Sequence, residues 1–204
     1  TVSAPYGLQP INRFDGMPYA GATQQLPIAS TYNTAIYNGD VVLVSGGNIK
    51  KSAVTSDSTT DKANNATYGV FVGCQYVNTQ GQTVQAQYYP GNAAASSAIA
   101  YVVMDPVAEF KVAVTYSGNS TVTTTTTAAV GVNAALIQGT GSSTTGDSGV
   151  SVAQPASGAG NAAALPVRIV AVVPETATGA NAFTEVIVKF NNPQILLAAG
   201  NDFA

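Results

Sequence analysis

Gly146-Asp147-Ser148-Gly149 reproduces the tetrapeptide that carries the nucleophile of trypsin-like serine proteases. That chemistry needs an imidazole to take the serine proton near neutral pH, and the 204-residue chain contains no histidine. The four residues are therefore expected to form a Gly-rich turn. A Ser-Lys dyad is formally open through Lys62, Lys111 or Lys189. A lysine base must be desolvated, however, and lysines isolated at strand alternation points are generally solvated edge residues. Asp57 with Asp61, and Asp105 with Glu109, are the carboxylate pairs to weigh for glycoside hydrolysis. The first pair lies in a polar loop and the second brackets a proline turn, so both read as solvated turn residues.

Other ligand chemistry fares no better. Oxygen atoms near Asp57, Asp61 and Asn64 suit a loose calcium site, but the acid and Gly spacing of an EF-hand loop is missing. Gly139-Thr140-Gly141-Ser142-Ser143 lacks a third Gly at dinucleotide spacing and a Lys after the next Gly, so both nucleotide fingerprints fail. Cys74 is the only cysteine, which rules out an intrachain disulfide and a cysteine metal site. Its apolar run, Val70 to Cys74, predicts a small buried residue and not a reactive thiol. Asn65-Ala66-Thr67 and Asn119-Ser120-Thr121 are glycosylation sequons that matter only in a secretory pathway. The reading is a non-enzyme with no catalytic residue, no cofactor, no metal and no small-molecule substrate.

The elements are those of a β protein. Gly39-Asp40 turns the chain into Val41–Val44, and Ser45 to Asn48 turns it again into Ile49–Val54, which predicts a hairpin with Lys50 and Lys51 as strand-end decoration. Further strands are expected at Tyr68–Val77, Val84–Tyr89, Ile99–Met104, Glu109–Tyr116, Val167–Val173 and Glu185–Phe190. The two that flank Asp105-Pro106 read as an antiparallel pair, with Phe110, Val112 and Val114 on one face. A short helical turn is expected near Ala128 to Leu136. About eight short strands separated by turns give a mostly β fold, an antiparallel barrel or sandwich.

Two segments stand apart from this body. Residues 1–32 carry Pro5, Pro10, Pro18 and Pro27, so no helix or inner strand runs through them, and they read as an extended N-terminal arm. Its interspersed apolar residues need burial, on the arm's own body or on a neighbouring subunit. Residues 117–161 are a long Gly/Ser/Thr-rich excursion expected on the surface of the single β-rich domain 33–204.

Only 8% of residues are charged and the formal net charge is -3, where soluble domains carry about 25% charged residues. Little electrostatic repulsion keeps copies apart, which suits permanent assembly. The seven basic residues form no cluster able to neutralise a run of phosphates, so direct nucleic-acid binding is not expected. No apolar run is long enough to span a bilayer, and no secretory signal opens the chain. Synthesis in a cytoplasm and no membrane partner are the corresponding expectations.

Tyr6-Gly7-Leu8-Gln9-Pro10-Ile11, Arg13, Gly16-Met17-Pro18-Tyr19-Ala20-Gly21, Ile28-Ala29 and Gly39-Asp40 resemble the opening of head decoration, or cement, proteins of tailed bacteriophages. The resemblance continues at Tyr68 to Gly73, Gly139 to Val150, Leu165 to Val170 and Glu185 to Asn192, and so covers most of the chain. Departures are the Thr123–Thr127 tract and the small-residue stretch Ala156–Ala164. Its motifs are turn and strand signatures. It implies a β-rich subunit, often trimeric, on the outer surface of the capsid where capsomers meet, with the major capsid protein as partner. Tyr6, Leu8, Phe14 and Tyr19 are the candidate partner-binding anchors of the arm, since large apolar and aromatic side chains dominate interfaces. The competing reading of the same four is that they staple the arm to its own domain. An adhesive tail or cell-surface module that binds a receptor or glycan is the alternative function.

Overall fold

Val, Ile, Phe and Tyr alternating with small or polar residues fit a pleated, half-buried surface, and the computed structural model is built almost wholly from strands. It describes residues 5–52, 67, 69–91, 98–116, 125–154, 165–176 and 183–191. Among these are thirteen strands, two 3-10 turns at Thr127–Ala129 and Pro174–Thr176, and no α-helix. Among the described residues no helix is long and apolar enough to cross a membrane.

The strands form two sheets. In chain order they are β1 (Gln9–Arg13), β2 (Gln24–Ile28), β3 (Val41–Ser45), β4 (Asn48–Lys51), β5 (Gly69–Val77), β6 (Thr83–Ala86) and β7 (Ala98–Val103). After these come β8 (Ala108–Thr115), β9 (Asn133–Ala134), β10 (Leu136–Ile137), β11 (Ser151–Ala153), β12 (Val167–Val172) and β13 (Glu185–Phe190). One sheet runs β10-β11-β8-β13-β12-β9, with β1 added to β8; the other runs β2-β7-β5-β3-β4, with β6 added to β5.

The first sheet closes nearly into a barrel through chain continuity. Its two end strands, β9 and β10, are separated only by Ala135, so the segment that leaves β12 at Ala134 opposite Val167 meets β11 at Leu136 opposite Val152. Alternation fixes the sides: Ala134 and Leu136 enter the barrel core, while Ala135 and Ile137 pack outside it with Ala153 and Leu165. Phe110 and Phe190 meet at 5.2 Å between ring centroids inside this core. The second core holds Ile28, Val42, Ile49, Phe71, Tyr89 and Val102.

Three expectations change. The strands flanking Asp105-Pro106 do not pair: β7 binds β2 and β5, whereas β8 binds β1, β13 and β11. Asp105 accepts the Val107 N–H at 3.0 Å, and the turn it caps is a crossover between sheets. The 117–161 excursion is not wholly on the surface, because its described part, 125–154, supplies β9, β10 and β11 and buries Leu136, Val150 and Val152. Small residues there permit the tight barrel wall. The helical turn is confined to Thr127–Ala129 and the rest of that stretch is strand. The Asp57, Asp61 and Asn64 group, Lys62 and the Asn65 and Asn119 sequons lie outside the described residues.

Prolines in the arm have the place chain chemistry assigns them. Pro10 sits in β1 and Pro27 in β2, each a strand with a sheet partner on one side only, where a missing N–H costs no ladder bond. The arm thus runs extended across both sheets and adds an edge to each.

Candidate functional site

Three stretches distant in sequence meet at one point: Tyr6-Gly7-Leu8, Asn38-Gly39-Asp40 and the protease-like Gly146 to Val150. Backbone bonds join them, from Gly7 N–H to Val150 O (3.2 Å), Leu8 N–H to Gly39 O (3.0 Å), Asn38 N–H to Gly146 O (3.0 Å) and Ser148 N–H to Asn38 O (2.8 Å). The approach is close enough to demand glycine. Gly7 has φ +84°, and a Cβ there would lie 2.7 Å from both Gly39 O and Ser148 Cβ.

Asp40 is the centre of this junction and is fully buried. Its carboxylate accepts the Ser148 hydroxyl at 2.6 Å and the Tyr37 N–H at 2.8 Å, and it pairs with Lys51 Nζ at 2.9 Å. The Gln138 amide lies at 3.5 Å. Lys51 also lies 5.6 Å from the centroid of the Tyr37 ring, itself stacked on Tyr88. Lys51 is thus a part-buried counter-ion, not the strand-end decoration its place beside Lys50 implies. The reason is that β4 ends beside the Gly39-Asp40 turn, whose carboxylate pairs with no other cation among the described residues.

Ser148 is closed to nucleophilic work. It is 2% exposed; its hydroxyl donates to Asp40 and accepts the Val150 N–H at 3.0 Å. The neighbouring Asp147 accepts the Gln87 amide at 2.9 Å. Lys51 pairs with a carboxylate and faces an aromatic ring, the opposite of the apolar setting a lysine base requires. The junction is a buried polar bracket around the Asp40 carboxylate that ties the arm, the barrel and the second sheet to one another.

The four arm residues separate into two classes. Leu8 is fully buried in the barrel core. Tyr6 donates to Glu185 Oε1 at 2.5 Å, and Lys111 lies 3.6 Å from the same carboxylate and 5.8 Å from the ring centroid. Burial, and then the Glu185 bond and charge, push the Tyr6 phenol far above its ordinary range. Tyr19 packs partly buried on the barrel core and donates to Ala22 O at 3.0 Å. Phe14 is different: it is 56% exposed, at the tip of a hairpin closed by the bond from Arg13 N–H to Met17 O. Met17, on the same tip, is 59% exposed. Sequence reasoning passed over Met17 as an anchor, although its place beside the Asp15-Gly16 turn signal marks it for a loop tip.

The remaining candidates are dispersed. Asp105 pairs with Arg13 at 3.4 Å and Glu109 belongs to β8. Lys111 pairs with Glu185, and Lys189 lies over the Phe14 ring. No group of three or more His, Cys, Asp or Glu among the described residues could hold a metal ion. Cys74 is buried, and burial pushes its thiol from 9.0 up to about 12. Two outcomes are expected. The thiol resists a disulfide reagent at pH 8 in the native protein and reacts fully in denaturant. Stability also falls as pH rises from 9 toward 12, because the unfolded chain loses this proton first; chemical denaturation at stepped pH reads the slope.

Comparison of the chain with family models, with curated proteins and with solved structures finds no match.

Proposed function

We propose that the chain is a structural virion protein, a capsid decoration or cement protein that binds the outer surface of a tailed-phage head between capsomers and stabilises the shell against internal DNA pressure. The observation that carries this reading is the junction itself. Tyr6-Gly7-Leu8, Gly39-Asp40 and Ser148-Gly149-Val150, three of the motifs that resemble decoration proteins, are the segments that meet around Asp40. The resemblance therefore falls on residues that specify a fold, where chance similarity of turn sequences would scatter.

The role is non-catalytic. A homotrimer that engages the major capsid protein at several points gains by effective concentration what each patch lacks in affinity. The exposed Phe14 and Met17 tip supplies the contact, with Tyr6, Leu8 and Tyr19 holding the tip in place. In the test, purified chain is added to heads that lack it and the pellet is assayed for bound copies. Saturable binding at many copies per head, with greater resistance of full heads to heat or chelator, is the expected result. A chain that stays in the supernatant sinks the reading.

An adhesive module is the second reading, favoured by the cleft that Asn12, Arg13, Phe14, Gly16, Pro18 and Glu109 line beside the tip. An aromatic face with amide, guanidinium and carboxylate groups suits a sugar ring. Binding on a glycan array without binding to heads would establish it in place of the first.

A further inference from the structure

The outer face of the barrel sheet concentrates charge on a chain that has little. Some of it is neutralised internally, Arg13 by Asp15 at 3.0 Å and Asp105 at 3.4 Å, and Lys111 by Glu185 at 3.6 Å. Arg168 and Lys189 have no such partner among the described residues. They are direct cross-strand partners on β12 and β13, so both project from the same face, opposite the inward Ile169, Val188 and Phe190. Like charges placed directly opposite one another destabilise a sheet. Neither residue has a carboxylate within ion-pair distance among the described residues, and Glu109, next along the β8–β13 register, does not pair with Lys189. One Arg168 donor is taken by Asn133 Oδ1 at 3.0 Å, which orients the guanidinium. Lys189 Nζ stands 4.4 Å from the centroid of the exposed Phe14 ring.

A like-charge pair with no carboxylate partner among the described residues breaks a local rule, and such breaches mark sites kept for function. We propose that Arg168 and Lys189, with Phe14 and Met17 beside them, form the docking patch for the protein partner, and that the partner presents an apolar depression rimmed by carboxylates. This inference rests on the assembly reading above and names the chemistry of its contact. The chain carries a net charge of -3, so a carboxylate-bearing partner is repelled elsewhere and steered to this patch. Complementary charge then sets orientation and association rate, and the aromatic tip supplies the buried anchor.

The test uses the full chain and heads that lack it, with wild type, Arg168→Glu/Lys189→Glu, Phe14→Ala and Lys50→Glu compared by co-sedimentation at low and high salt. Expected are a loss of at least about tenfold for the double reversal and for Phe14→Ala, no change for Lys50→Glu, and weaker wild-type binding at high salt. Arg168→Gln relieves the cation pair and is expected to raise the melting temperature while it lowers binding, a split that a purely structural role would not give. Wild-type binding that all these variants share overturns this inference and leaves the assembly reading standing. Absence of wild-type binding overturns both. Retention on heparin or duplex DNA that the double reversal abolishes, with head binding intact, assigns the patch to a polyanion and overturns the protein partner.

Discussion

Asp40→Ala is expected to destabilise the protein by about 3–5 kcal/mol, the range for breaking a buried ion pair by removing one partner. The substitution removes the carboxylate that pairs with Lys51, and the Ser148 hydroxyl and Tyr37 N–H lose their acceptor. A loss of that size is a large share of the stability of an ordinary domain. Asp40→Asn keeps the shape and one acceptor oxygen but not the charge, so it is expected to fall between Asp40→Ala and wild type. The double substitution Asp40→Leu/Lys51→Met removes both charges and is expected to recover part of the loss. Equilibrium denaturation of the four proteins measures these differences. If Asp40→Ala unfolds at the wild-type midpoint, the bracket contributes nothing and the junction is held by its backbone bonds.

Leu8→Ala and Phe14→Ala are expected to part company. Leu8 is fully buried in the barrel core, so its truncation costs about 2–5 kcal/mol through lost burial and the cavity left behind. Phe14, more than half exposed, is expected to change stability by about 0.5 kcal/mol or less while it weakens binding to heads. Melting curves and head co-sedimentation on the same two variants give a crossed pattern. Deletion of residues 1–20 is a poorer probe, because it removes β1 and core packing together with the tip. Equal loss of stability from both substitutions would show that the tip is packed in solution and is not a free contact surface.

The strands predicted from alternation were legible because their residues carry the period themselves: Val186, Val188 and Phe190 enter the core as their spacing requires. β1 and β2 were not, since Pro10 and Pro27 argue against strand until an edge with one free side is known to exist. β9, β10 and β11 are two or three residues long and made partly of Ser, Asn and Ala, and only barrel closure gives those residues a reason to be strand. The bracket was legible as three turns and not as one site. Asp40 and Ser148 are 108 positions apart, and nothing local in Gly39-Asp40 announces that its carboxylate is buried. For Lys51, a neighbour of like charge pointed to solvent while the carboxylate that determines its place came from another segment.

The pairing of β8 has a temporal meaning. It pairs with β1 and with β13, strands far apart in sequence, and Tyr6 reaches Glu185 across 179 positions. A ribosome emits the arm long before the strand that secures it. The barrel therefore completes only after β13 has left the exit tunnel, and contacts of such separation fold slowly, on the scale of about milliseconds to seconds. Until then Leu8 lacks its complete barrel core and the β13 side of β8 is an open template for another chain. A truncated product that lacks β13 cannot form the Glu185 anchor, so the fold withholds the finished arm from incomplete copies.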